Sequence, residues 1–230
     1  MKIPRIGNCE LGTVPRTAAI VDDFFPPSEI KKLKKLGTDL LEIRVDNFKG
    51  DIDKVCDYIG KIRKAASLPL IGTIRENERN RKNRIDLFAK IIPLVDAIDV
   101  EIDSSINKKI IAMAAGKTII VSEHDFLGTP DSTRFSRIVK DAFDMGGHIV
   151  KIAATANCRK DVVRFLDLIR DCKKPIVAFS MGDFGSISRI MSMLYGSLYT
   201  YGFVKKANAP GQIPIGELIA LLRRFFPELR

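Results

Sequence analysis

Lys151 lies in the middle of HIVKIAAT, residues 148–155, an otherwise apolar run of strand-forming character. A lysine is rarely buried without a partner or a shifted pKa, because its ammonium loses hydration there. Three arrangements meet that demand. Lys151 forms a buried ion pair with an acid such as Asp99 or Glu101, or the run is no strand and the lysine is at the surface. In the third, burial and nearby arginines depress its pKa, so that a neutral amine can attack a carbonyl. Only the third also accounts for the polar residues that follow other apolar runs. His124 stands in SEHDF, just past TIIVS (118–122). Glu42, Arg44 and Asp46 alternate through DLLEIRVD, and residues two apart share a face of a strand. Thr73 and Arg75 repeat that spacing; Arg189 follows SMGDFGS, and Gln212 lies in KKANAPGQIPIG. A neutral lysine beside a histidine suits Schiff-base chemistry, in which the protonated imine acidifies a neighbouring C–H and the histidine moves the proton. Arg44, Arg75 and Arg189 would hold an anionic group in fork geometry. His148 stands at the opposite end of its run and reads as structural.

These side chains converge only on a suitable frame. Eight short apolar runs recur: 17–21, 39–45, 68–74, 97–102, 118–122, 148–154, 175–180 and 197–203. Between them lie segments of helical period, such as STRFSRIVKDAF with Phe135, Ile138 and Ala142 on one stripe, and DVVRFLDLIRDC with Val162, Leu166 and Ile169. Strands of near-continuous apolar character, each followed by a helix, predict a parallel sheet covered by helices. Eight such units without a linker predict an α/β fold of one domain, a (β/α)8 TIM barrel over residues 1–230, with an open doubly wound sheet as the alternative. Residues 1–16 precede the first run and are expected to cap the bottom of the barrel. Active sites of such barrels lie at the C-terminal ends of the strands, where the residues above fall.

Composition narrows the class. Hydrophobic residues make up 46% of the 230 and charged residues 29%, as in ordinary globular proteins. No run of about 18 apolar residues predicts a membrane span, and MKIPRIGNCELG lacks a signal peptide's apolar core. Cys9, Cys56, Cys158 and Cys172 form no CxxC pair and have no zinc spacing with the histidines. Scattered cysteines of this kind fit a reducing, cytoplasmic setting. The net charge of +10 raises nucleic acid as a partner. However, the basic residues fall in helix-like runs, KKLKK (31–35) and RKNR (81–84), with little aromatic interleaving. They read as solvated helix faces around a site for an anionic small molecule. No GxGxxG, P-loop or metal motif is present, and no cofactor is expected.

In chain order, EIRVD (42–46), GTIR (72–75), SEHDF (122–126), VKIA (150–153), SMGDFGSISR (180–189) and APGQI (209–213) resemble the motifs of type I 3-dehydroquinate dehydratase. The resemblance implies a (β/α)8 enzyme of the shikimate pathway, usually a homodimer, that dehydrates 3-dehydroquinate to 3-dehydroshikimate. It implies that Lys151 forms an imine with the C3 ketone. His124 then removes the C2 proton and protonates the leaving hydroxyl in a syn elimination. It assigns the substrate carboxylate to Arg189 and Gln212, the hydroxyls and polar network to Glu42, Arg44 and Arg75, and the pocket wall to Phe179 and Met181. Where the family commonly has a histidine-orienting glutamate, this chain reads RENERNRKN, and Glu78 is the expected match, with Glu76 as the alternative. Asn208 stands where the family often has a substrate-contacting serine. The length is that expected of a stand-alone enzyme, with residues 205–214 as a plausible lid.

Two rivals remain. A Schiff-base aldolase of a sugar phosphate would need phosphate-binding amides after the last two strands, and the GDFGS and APGQ loops admit that reading. A basic polyanion-binding protein on a barrel frame would show salt-sensitive retention on nucleic acid and no effect of Lys151→Ala.

Overall fold

The computed structural model describes residues 3–229. A small antiparallel hairpin, β1 (Arg5–Ile6) and β2 (Cys9–Glu10), opens the chain. Strands and helices then alternate: β3 (Thr17–Val21), α1 (Pro27–Leu36), β4 (Leu40–Arg44), α2 (Ile52–Ala66), β5 (Leu70–Thr73), α3 (Arg84–Ile91), β6 (Ala97–Glu101) and α4 (Asn107–Met113). They continue as β7 (Thr118–Asp125), α5 (Ser132–Asp144), β8 (Ile149–Thr155), α6 (Arg159–Asp171), β9 (Ile176–Met181), α7 (Ser188–Leu194), β10 (Thr200–Phe203), the short β11 (Ile213–Pro214) and α8 (Ile215–Phe225). Strands β3 to β10 are the eight apolar runs read from the sequence.

The large sheet is parallel, in the order β11-β10-β3-β4-β5-β6-β7-β8-β9. The first long strand, β3, therefore pairs with the last, β10, which a doubly wound sheet does not do. The two ends of the ladder meet where Leu198 N–H, just before β10, donates to the Ile176 carbonyl of β9 at 2.9 Å. The result is the (β/α)8 TIM-barrel fold.

Strand parity splits the core in two. Ala18, Leu40, Ile71, Ala97, Ile120, Ile149 and Val177 form an interior cluster, which Ile6 and Leu11 from the N-terminal segment join. Within the described residues 3–16, the segment thus caps the barrel as expected, and Thr118 Oγ1 ties it down by donating to the Arg5 carbonyl at 2.8 Å. Residues of the opposite parity, such as Ile43, Ile98, Val121 and Ile152, meet the buried stripes of the helices. In α5 these are Phe135, Ile138 and Ala142, and Asp131 caps the helix by accepting from Arg134 N–H at 2.7 Å. His148, before β8, accepts from Ile119 N–H at 2.9 Å through Nδ1, a structural bond.

Two sequence expectations need correction here. Asp46 does not continue the face of Glu42 and Arg44, because β4 ends at Arg44 and Asp46 enters a 3-10 turn. From there it pairs with Arg44 Nη2 at 2.8 Å. Nor is RKNR wholly a solvated face: Arg81 is exposed but Arg84 is buried, held by the Ile74 carbonyl and Glu101.

Candidate active site

A cavity of about 690 Å³ opens at the C-terminal ends of the strands. Lys151, on β8, points inward with 4% of its surface exposed. Its Nζ donates to Asp99 Oδ2 at 2.8 Å and Glu42 Oε2 at 3.4 Å, and lies 4.4 Å from the centre of the Tyr201 ring. The lysine is therefore buried, and its nearest charges are acids; the expected flanking arginines lie one shell further out. Glu42 is fixed by Thr73 Oγ1 at 2.8 Å. Asp99 accepts from Ser122 Oγ at 2.6 Å and Arg75 Nη2 at 2.8 Å. Burial alone would raise the Asp99 pKa, but Arg75 and Lys151 outweigh it and hold the carboxyl ionised, well below its usual range. Arg75 also reaches Glu101 at 3.4 Å, and Glu101 in turn pairs with Arg84. Three cations, Lys151, Arg75 and Arg84, thus interleave with three carboxylates, Glu42, Asp99 and Glu101.

His124 sits on β7 above this network. In the β7–β8 register Ser122 stands opposite Lys151 and His124 opposite Ala153, one interior layer nearer the mouth. Burial, then the Arg75 and Lys151 cations, hold the imidazole pKa well below 6.5, although Asp99 pulls the other way. The ring is thus neutral near pH 7 and free to accept a proton. Phe126 stacks beside it, 6.3 Å between ring centres. Among the described residues no hydrogen bond reaches the His124 ring.

Arg189, at the start of α7, approaches from the other side and is fully buried. Its Nε donates to the Gly211 carbonyl at 2.8 Å, and its guanidinium lies 4.6 Å from the Phe179 ring centre. Neither Nη1 nor Nη2 has a partner among the described residues. Burial without a counter-charge pushes its pKa down to about 10. Gly211 is required where it is: its φ is +74°, and a Cβ there would lie 2.4 Å from the Gly182 carbonyl oxygen. The loops after β9 and β10 are thereby pressed together, with Gly182 N–H donating to the Pro210 carbonyl at 3.3 Å. In the same loop Gln212 Oε1 accepts from Asn208 N–H at 2.6 Å and Ala209 N–H at 3.3 Å.

Of the residues expected at the site, Glu42, Arg44, Arg75, His124, Lys151, Arg189, Asn208 and Gln212 line one cavity, as do Phe179 and Met181. Glu78 does not: it is exposed and outside the lining, so it cannot orient His124 from there. Glu76 lines the rim instead and pairs with Arg81 at 3.0 Å and Arg84 at 3.8 Å. Sequence reasoning passed over Tyr201 and Arg84 and named Asp99 and Glu101 only as bland partners. Their signal was parity: Asp99 and Glu101 alternate in AIDVE, as Tyr199 and Tyr201 do in LYTY. Among the described residues no cluster of His, Cys, Asp and Glu is arranged to hold a metal ion.

The sequence pattern of the type I 3-dehydroquinase family matches residues 27–227. The chain belongs to that family. It is accordingly an enzyme of the lyase class. The 3-dehydroquinate dehydratase of Aquifex aeolicus is 37% identical over 218 residues, covering 91% of this chain and 98% of that protein. Its crystal structure superposes with a TM-score of 0.79 over 92% of this chain and 99% of that one. The Geobacillus kaustophilus 3-dehydroquinate dehydratase, 26% identical, superposes at 0.88 over 100% of this chain and 98% of that one. Family members thus share the barrel from end to end. Among the described residues, no helix is long and apolar enough to cross a membrane.

Proposed function

We propose that this chain is a 3-dehydroquinate dehydratase of the shikimate pathway that works through a Schiff base on Lys151, as one catalytic domain within a cytoplasmic homodimer and without a cofactor. The observation that carries the reading is a buried lysine at a barrel mouth, with a neutral histidine on the next strand and an unpaired arginine across the cavity. The Arg189 fork matches a carboxylate in geometry and charge, and docking one there relieves an unsatisfied guanidinium. The ring of 3-dehydroquinate then lies between Arg189 and Lys151, bounded by Phe179 and Met181.

Lys151 attacks the C3 ketone as the free amine; His124, neutral in the same cavity, takes the proton it sheds and returns it to the carbinolamine hydroxyl as water leaves. Loss of water gives the protonated imine. His124 takes the C2 proton, the electron pair moves toward the imine nitrogen, and the enamine that forms expels the β-hydroxyl, which leaves as water with the proton from His124. Hydrolysis of the conjugated imine returns Lys151 and releases 3-dehydroshikimate. Arg44, Arg75, Asn208 and Gln212 supply donors for the remaining hydroxyls and the carboxylate.

Borohydride reduction in the presence of 3-dehydroquinate tests this. The expected result is a reduced adduct on Lys151, found by peptide mass spectrometry, together with the ultraviolet absorbance of the enone product. Folded protein that yields product without an adduct, or neither, overturns the mechanism.

A further inference from the structure

Two buried tyrosines take no part in the chemistry above. Tyr199, just before β10, and Tyr201, within it, both belong to the interior cluster, and their hydroxyls pair with each other at 3.2 Å. In the β10–β3 register Tyr201 stands opposite Ala18, a small neighbour that leaves room for the ring inside the barrel. Phe179, on β9, meets Tyr201 edge to face with 5.9 Å between ring centres. The cation on each side of the cavity therefore lies over a ring, Arg189 over Phe179 at 4.6 Å and Lys151 over Tyr201 at 4.4 Å, and the two rings touch. Burial, with the Glu42 carboxylate adding to it, keeps both phenols protonated, their pKa values well above 10. Among the described residues no hydrogen bond joins the Tyr201 hydroxyl to Lys151, so the lysine meets the ring and the hydroxyl pair holds that ring in place.

The ring can do for Lys151 what its acids cannot do throughout the reaction. As an ammonium, Nζ carries three N–H donors, and Asp99 and Glu42 accept from it at 2.8 Å and 3.4 Å. As a protonated imine it keeps a single N–H, so one of the two acids loses its bond to the nitrogen. The attraction of a positive nitrogen to the negative face of an aromatic ring uses no donor, and it survives that change. It acts on charge, and so it favours the iminium over both of its neutral neighbours, the carbinolamine before it and the enamine after it. Loss of water from the carbinolamine and expulsion of the β-hydroxyl from the enamine each create the positive charge, and the ring assists both steps. Removal of the C2 proton quenches the charge and gains nothing from the ring.

We propose that Tyr201 is a further catalytic residue of this site, its ring face holding the positive charge of the imine on Lys151. The inference rests on the Schiff-base reading above and deepens it. Reductive trapping tests it, with 3-dehydroshikimate as the ketone and cyanoborohydride as the reductant of the iminium. Tyr201→Leu removes the ring and is expected to raise the ketone concentration that half-saturates the initial trapping rate by roughly 2- to 30-fold, the range of a cation–π contact. Tyr201→Phe keeps the ring face and is expected to recover most of that loss. Site-specific incorporation of mono-, di- and trifluorinated phenylalanine at the same position withdraws charge from the ring face with little change of shape. The half-saturating concentration is expected to climb with each added fluorine. Circular dichroism checks that each variant folds, and the fluorinated series carries the test alone if Tyr201→Leu does not fold. A flat fluorine series overturns the proposal, as does a Tyr201→Phe variant that loses as much as Tyr201→Leu. The failures are distinguishable: a wild type with no adduct on Lys151 overturns the Schiff-base reading and this inference together, whereas a wild-type adduct with a flat series overturns the role of the ring alone.

Discussion

The two sides of the cavity solve the burial of cations in opposite ways. On the β4–β8 side, Lys151 and Arg75 share Asp99, and Glu42 and Glu101 complete the neutralisation. On the α7 side, Arg189 is as deeply buried, yet among the described residues its only polar contact is the Gly211 carbonyl. The first side is complete without a ligand and positions a nucleophile. The second is incomplete without one and is held that way by a backbone contact that only glycine permits. Paired charges preorganise chemistry, whereas an unpaired charge in a fixed place stores affinity for an anion.

The largest break comes at the nucleophile. Lys151→Ala is expected to abolish borohydride trapping and nearly all turnover while the barrel stays folded; undiminished turnover would end the Schiff-base reading. His124→Ala should let imine accumulate slowly and cut elimination by about 10²–10⁴, measured by single-turnover kinetics. The pH profile sharpens the same point. Burial and neighbouring cations keep the imidazole neutral as pH falls through 6.5. The acid limb of kcat/KM that His124 governs is therefore expected below pH 6.5, and a limb above it would contradict the environment described.

The comparison itself is tested by removing one group from each side. Asp99→Asn leaves Lys151 and Arg75 short of their shared acid in a fully buried position. It should cost about 3–5 kcal/mol of stability in denaturant melts. Arg189→Met removes a cation that has no counter-charge among the described residues. It should weaken substrate binding by roughly 2–5 kcal/mol, read as a rise in KM. It should also leave the free protein about 1–3 kcal/mol more stable, because an unsatisfied buried group has gone. Opposite signs on the two stabilities confirm the contrast; loss of stability in both variants would mean that Arg189 is structural.

Much of this was legible in the sequence because barrel strands are apolar on both faces. Their runs stand out, and a polar residue inside one carries information. Glu42 and Lys151 were found that way, His124, Arg75 and Arg189 as polar residues that follow such runs, and the family motifs fall on the same positions. What the sequence hid depends on side chains that redirect the chain. Asp46 keeps the period-two spacing of Glu42 and Arg44, yet its ion pair with Arg44 forms across a turn. Arg84 sits in a basic run, yet it folds inward because the Ile74 carbonyl and Glu101 both await a donor. The partners of Lys151 lie 52 and 109 residues away along the chain, and no local pattern fixes which acid reaches it.

The smallest expected effect concerns the loop after β5, where the family resemblance favoured Glu78. That loop is shaped by two asparagines. Asn77 Oδ1 accepts from Arg79 N–H at 2.9 Å and Asn80 N–H at 3.1 Å. Asn80 Nδ2 returns a bond to the Arg75 carbonyl at 2.7 Å. Such side-chain-to-backbone turns close the chain on itself and leave the residue between them outside. Glu78→Ala should therefore change neither stability nor kcat/KM beyond about 0.5 kcal/mol. Glu76→Ala removes a carboxylate at the cavity rim that pairs with Arg84, and it should move both by more. If instead Glu78→Ala slows elimination and Glu76→Ala does not, the loop must close over His124 when substrate binds, and the histidine acquires its missing partner only in the complex.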